Sequence, residues 1–303
     1  MLSAAVDSYL AIRRTLGFRL RDTEMILRDF AAFASAKEDT HVCTRTVLEW
    51  IRTAKGSPLR SCVRLRTVVR FARYLHAEDK RHEVPPQNAF GRHRPHRRPP
   101  FLFTPGDVAA LVRAARALGP EGALQPHVYS TLFGLIASTG LRISEALNLR
   151  IEDVTPDGLL VRNAKFAKSR LLPLHPSTRS RLEHYLERRL QEAGTCPFVF
   201  ISVKGIQLHA NTVRGVFHRL VDALGIARST LRPRVHDLRF YFANQVLTNS
   251  PTDYQSVSRH MAALTTYLGH SDARNSYWYL EATPALFSKI AERCEDFAKG
   301  GNP

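Results

Sequence analysis

The ten residues Gly91-Arg92-His93-Arg94-Pro95-His96-Arg97-Arg98-Pro99-Pro100 limit what this chain can fold into more than any other stretch. Each proline lacks the N–H that helices and sheets use, and the arginines and histidines between them leave almost nothing to bury. Pro85-Pro86 stops helix just upstream. The pattern predicts a basic, proline-rich linker over 85–100, separating a part over 1–84 from one over 101–303. A length of 303 residues suits two domains, and 44% hydrophobic residues suffice for two cores.

Charge narrows the partners. The net charge is +17, and residues 1–100 hold 20 Lys and Arg against 10 Asp and Glu. Such a field favours polyanions over neutral small molecules, nucleic acid before an anionic membrane surface. Arg outnumbers Lys 36 to 8, which suits bidentate phosphate contacts and also follows from a GC-rich genome. Cys43, Cys62, Cys196 and Cys294 lack metal-ligand spacing and read as free thiols of a reducing cytosol. No secretory leader is evident at the start, and the apolar stretch at Leu132–Ala137 is too short to span a bilayer. The expected setting is cytoplasmic and nucleoid-associated, with no membrane partner.

Apolar periodicity predicts helices over 5–16, 23–34, 44–53 and 61–77 in the first part. Within 61–77, Leu65, Val68, Val69, Ala72 and Leu75 form one apolar face, and Arg66, Arg70 and Arg73 lie along its flank. That flank reads as a phosphate-tracking stripe or a solvated face; the net charge favours the stripe. Arg92, Arg94, Arg97 and Arg98 of the linker are further candidates for DNA contact. The second part opens at Thr104-Pro105-Gly106-Asp107, a helix start. Helices are predicted over 107–118, 126–138, 143–149, 178–193, 210–224, 238–248, 256–266 and 284–298, with short strands at 152–154, 159–162 and 170–174. The fold class is mainly α, with one small antiparallel sheet in the second part.

Four motifs of the second part carry the chemistry: Thr139-Gly140-Leu141-Arg142-Ile143-Ser144-Glu145; Asn163-Ala164-Lys165-Phe166-Ala167-Lys168; His236-Asp237-Leu238-Arg239; and Leu268-Gly269-His270 with Tyr279 nine residues on. Breaking a phosphodiester without a metal needs an in-line nucleophile, cations on the non-bridging oxygens and an acid for the leaving oxygen. Two arginines suit the second task, lysine or histidine the third, and tyrosine can be the nucleophile. His236 and Arg239, three apart, share one face of a helix start. A metal site from His236, His260 and His270 lacks carboxylate or cysteine partners at ligand spacing.

In this order, Arg142, Lys165, His236-x-x-Arg239, His270 and Tyr279 resemble the signature of the tyrosine recombinase, or phage integrase, family. The resemblance covers roughly 101–298. It implies a two-domain DNA clamp, with a helical core-binding domain over 1–84 and a catalytic domain over 101–303. Arg142 and Arg239 would hold the phosphate, and Glu145 would support Arg142. Lys165 would be the general acid, with Lys168 as the chemically equivalent neighbour. His236 would assist proton transfer or bind the phosphate, His270 would donate to it, and Tyr279, rather than Tyr277, would be the nucleophile. One departure is Phe240, where the family often has histidine.

The implied reaction is site-specific recombination of double-stranded DNA through a 3′-phosphotyrosyl intermediate. It requires no cofactor, neither metal nor ATP, and implies a tetramer on two DNA sites, with room for accessory proteins. Three rivals stay open: a type IB topoisomerase-like enzyme that rejoins the original strand, a DNA-binding protein with a vestigial site, and a metal-dependent nuclease.

Overall fold

The structure, a computed structural model, describes residues 2–18, 20–53, 56–91, 98–120, 122–162, 169–192, 195–226, 231–249 and 254–269, with side chains of the last segment from 259. The chain divides into two compact units, 1–97 and 98–303.

The first unit is built from α1 (Leu2–Thr15), α2 (Arg21–Ala36), α3 (Thr44–Thr53) and α4 (Pro58–Glu78). Each helix buries one stripe. Val6 and Leu10 of α1, Leu27 and Phe30 of α2, Val47 and Trp50 of α3, and Leu65, Val68 and Ala72 of α4 meet in a single core. The Trp50 ring needs a partner for its N–H, and Asp29 accepts it at 3.3 Å while also pairing with Arg64 at 3.1 Å. Val84 and Phe90 pack against this core as well. The Glu83 N–H donates to the Val42 carbonyl at 2.8 Å, and the Glu83 carboxylate accepts the Thr44 N–H at 2.7 Å. The first unit therefore runs past residue 84, and the start of the expected linker is part of its packing. Residues 92–97 lie outside the described segments.

The second unit contains α5 (Pro105–Arg116), α6 (Leu124–Thr139), α7 (Ile143–Asn148), a 3-10 turn (Ile151–Asp153), β1 (Val154–Thr155), β2 (Gly158–Val161), β3 (Arg170–Leu172), α8 (Pro176–Glu192), α9 (Ala210–Ala223), α10 (Val235–Thr248) and α11 (Tyr254–Leu268). Thr104 and Asp107 cap α5 reciprocally. Helix α6 is buried nearly all round, through Leu132, Phe133, Leu135 and Ile136, because α5, α8 and α10 all pack on it. The sheet is antiparallel in the order β1-β2-β3, with Leu159 opposite Leu172 and Val161 opposite Arg170.

Most boundaries shift by one to three residues from the sequence reading, and two of the shifts have a clear cause. The strand expected at 152–154 is a 3-10 turn over 151–153 followed by a strand at 154–155. The Asp153 carboxylate accepts the Arg150 N–H at 3.0 Å, which curls this stretch instead of extending it. Helix α10 begins at Val235 rather than 238, because Asp237 accepts the Arg234 N–H at 2.8 Å and caps the first turn. The helix expected at 284–298 lies outside the described residues. Among the described residues, no helix is long and apolar enough to cross a membrane.

Candidate active site

Three chain segments far apart in sequence meet where α6 ends. Helix α6 stops at Gly140, whose φ of +64° is left-handed. A Cβ there would lie 2.6 Å from the Phe242 ring and 2.8 Å from the Leu268 side chain, so residue 140 has no room for one. The turn delivers Arg142 to the N-cap position of α7. Glu145, in the first turn, accepts the Arg142 N–H at 3.0 Å and the Arg142 guanidinium at 2.6 Å. One carboxylate thus caps the helix and orients the arginine.

Helix α10 supplies the second segment. His236 and Arg239 lie in its opening turns, and the buried Asp237 between them ties down the start. Arg239 is only 1% exposed. Its Nη1 donates to the Gly140 carbonyl at 2.6 Å and its Nη2 to the Leu268 carbonyl at 2.8 Å, with Glu145 3.9 Å away. Arg239 therefore joins the ends of α6 and α11, while Arg142 keeps 27% of its side chain open. His236 keeps an exposed edge. Loss of hydration among its neighbours, and then the Arg239 charge, push its pKa below the usual histidine value.

The third segment is the end of α11 with β3. Arg170 donates through Nη1 and Nη2 to Glu145, at 3.1 and 2.9 Å, and through Nε to the Tyr267 carbonyl at 2.9 Å. Burial alone would raise the Glu145 pKa. The Arg170 hydrogen bonds, the Arg142 N–H and the two guanidinium charges overcome that and lower it to about 2. The carboxylate is ionised at neutral pH and serves as an acceptor, not as an acid.

The sequence reading did not single out Arg170. A signal was present: strand alternation puts residue 170 on the same face as Leu172, which is fully buried, and an inward arginine needs a carboxylate. Phe240, at the departure from the family pattern, is buried beside Leu247, Leu264 and Leu268.

The structure brings Arg142, Glu145, His236 and Arg239 to one junction. Lys165, Lys168, His270 and Tyr279 lie outside the described residues. Residues 163–168 fall between β2 and β3, and His270 directly follows Gly269. In the first unit, Arg66, Arg70 and Arg73 are all exposed along α4. With its amide oxygen turned towards Arg73, Gln87 accepts from that guanidinium at 2.6 Å. Arg98 donates to the Arg232 carbonyl at 2.6 Å within the second unit; Arg92, Arg94 and Arg97 lie outside the described residues. Among the described residues, one group has metal-ligand chemistry, His41, Asp79 and His82 of the first unit. Arg81 already engages both Asp79 oxygens, and the Val42 N–H donates to His82 Nδ1 at 3.0 Å.

The chain has relatives among known proteins. Residues 103–285 match the model of the phage integrase family. Over 302 residues the chain is 37% identical to y4rB, an integrase/recombinase by name, from Sinorhizobium fredii strain NBRC 101917 / NGR234, covering 96% of each. It is 26% identical over 311 residues to tyrosine recombinase XerD of Brucella melitensis, covering 95% of this chain and 96% of XerD. The fold is shared with the XerH site-specific recombinase bound to its palindromic difH substrate, with a TM-score of 0.65 at 18% identity, covering 90% of this chain and 79% of XerH.

Proposed function

The chain belongs to the phage integrase family, and we propose that it is a site-specific DNA recombinase that works through a 3′-phosphotyrosyl bond to Tyr279. The observation that carries this reading is the junction itself: Glu145 lies 2.6 Å from Arg142 and 3.9 Å from Arg239, residues 97 positions apart. Two arginines gathered at one partly open site suit a phosphate in a strained, charge-rich transition state.

In the proposed reaction the Tyr279 oxygen attacks the phosphorus and the bond to the 5′ oxygen breaks. The tyrosine proton passes to a neighbouring base, for which a neutral His236 is suited. Lys165 protonates the departing 5′ oxygen. Arg142 and Arg239 neutralise the non-bridging oxygens, and Arg239 also holds the Gly140 and Leu268 carbonyls beside them. A 5′ hydroxyl from a partner strand then attacks the phosphotyrosyl bond and reverses the sequence. Bond energy is conserved, so neither ATP nor a metal enters the scheme. The first unit and the 92–98 segment would grip the duplex, and paired sites would call for four protomers. XerD is named as a tyrosine recombinase, and lambda integrase is known as a tetramer bound to a Holliday junction; the same assembly is proposed for this chain.

The test uses labelled, nicked duplexes tiling the DNA that flanks the coding sequence. Full-length protein should form an SDS-resistant adduct with some of them, in EDTA and without ATP. Failure to form any adduct across the tiles would overturn the reading.

A further inference from the structure

We propose that Arg170 is a positioning residue of the strand-transfer site, holding Arg142 and the turn leading into His270 in fixed register. The proposal rests on the recombination reading above.

The linkage is continuous. The Tyr267 carbonyl accepts Arg170 Nε at 2.9 Å. The two terminal nitrogens of Arg170 grip both oxygens of Glu145, at 3.1 and 2.9 Å. Those same oxygens hold the Arg142 N–H at 3.0 Å and its guanidinium at 2.6 Å. One planar fork therefore connects the end of α11 to the start of α7 through charge-assisted bonds of fixed geometry.

The turn after α11 is shaped around this fork. Gly269 has a φ of +66°, and a Cβ there would lie 2.8 Å from Arg170 Nη1. The glycine of Leu268-Gly269-His270 thus serves two needs, a left-handed backbone and close contact with a guanidinium. The backbone from which His270 continues is set directly against Arg170. In the other direction along the chain, Arg170 begins β3 two residues after the 163–168 segment that contains Lys165.

Stability alone is a weak reason for such a pair. Desolvating two charges offsets much of their attraction, and apolar replacements in such places are often neutral. A fork satisfied by two different segments does supply geometry, and displacement of a reacting group by about 1 Å can cost about 10²-fold in rate.

The experiment measures single-turnover cleavage by full-length protein on a nicked duplex that gives the Tyr279-dependent adduct. Arg170→Met and Arg170→Lys are compared, each also combined with His270→Ala. DNA affinity should be unchanged, while cleavage by Arg170→Met falls about 10²-fold. Arg170→Lys should remain slow despite its charge, because a single ammonium cannot hold Glu145 and the Tyr267 carbonyl in the same geometry. In the His270→Ala background, Arg170→Met should add less than its full loss, since the part that acts through His270 is already gone and only the part that acts through Glu145 and Arg142 remains. A bridging phosphorothiolate at the 5′ position, whose thiolate leaves without a proton, should not restore the rate.

Should Arg170→Met fail to fold, Arg170→Lys carries the same comparisons. Full cleavage by Arg170→Lys, losses that multiply completely with His270→Ala, or rescue by the phosphorothiolate would each overturn the positioning role. A wild-type protein with no Tyr279-dependent adduct would instead bring down the recombination reading. The two failures are separate results.

Discussion

Glu145 accepts both terminal nitrogens of Arg170, Nη1 on Oε1 at 3.1 Å and Nη2 on Oε2 at 2.9 Å. Its pKa in the folded protein is lowered from 4.5 to about 2. A depressed carboxylate pKa stabilises the fold fully above the unfolded value, and the contribution is lost as pH falls from 4.5 towards 2. The size is on the order of 3 kcal/mol. Glu145→Gln should flatten the fall in unfolding free energy over this window relative to wild type. Denaturant melts at a series of acidic pH values check it, and identical slopes in the two proteins contradict it.

Arg142 and Arg239 should separate when stability and cleavage are measured together. Lysine at 142 keeps the charge on a partly open side chain and should leave Tm nearly unchanged. Lysine at 239 cannot reach both the Gly140 and Leu268 carbonyls, and leaving one buried and unpaired should lower Tm by on the order of 5 °C. Cleavage should fall about 10²–10³-fold in both variants. Wild-type cleavage by either would remove that arginine from the site.

Binding should weaken steeply with salt, as expected of a chain with a net charge of +17. Arg66, Arg70 and Arg73 are exposed along one helix. If each meets a phosphate, neutralising it should reduce the slope of log K against log salt by about 0.9. The triple glutamine variant, titrated against duplex DNA at several salt concentrations, measures this. An unaltered slope would make the stripe a solvated face.

Much of the fold could be read from apolar spacing. Helix 44–53 and the apolar face of α4 follow from Val47, Trp50, Leu65, Val68 and Ala72, which recur at helical intervals and are buried. The errors came from polar side chains that bond to backbone. Asp153 curled an expected strand into a 3-10 turn, and Asp237 started α10 three residues early, which places His236 inside the helix. Val84 and Phe90 were hidden because isolated apolar residues among prolines and charges show no period; only the neighbouring helices create their place. At the site, Arg142, Glu145, His236 and Arg239 stand out by motif order. Arg170 does not, because its partners lie 25 and 97 residues away, a separation that no local pattern reports.

The C-terminal segment offers a test of assembly. Leu286, Phe287, Ile290, Ala291, Cys294 and Phe297 would form one apolar face of a helix over 284–298. If that helix docks on a neighbouring protomer, truncation after Ala282 should retain binding to a single site and lose cooperative binding and strand exchange. Native-gel titration on paired sites reads both. Normal synaptic complexes from the truncated protein would show that the helix does not link subunits.

The proposed function turns on a covalent bond between one tyrosine and DNA, and adduct formation by Tyr279→Phe and Tyr277→Phe beside wild type measures that bond itself. On a nicked duplex that traps the cleaved strand, wild type and Tyr277→Phe should give an SDS-resistant adduct, and peptide mapping should place the DNA on Tyr279. Tyr279→Phe should bind the duplex with unchanged affinity and give none. An adduct that persists in Tyr279→Phe and disappears in Tyr277→Phe would contradict the account.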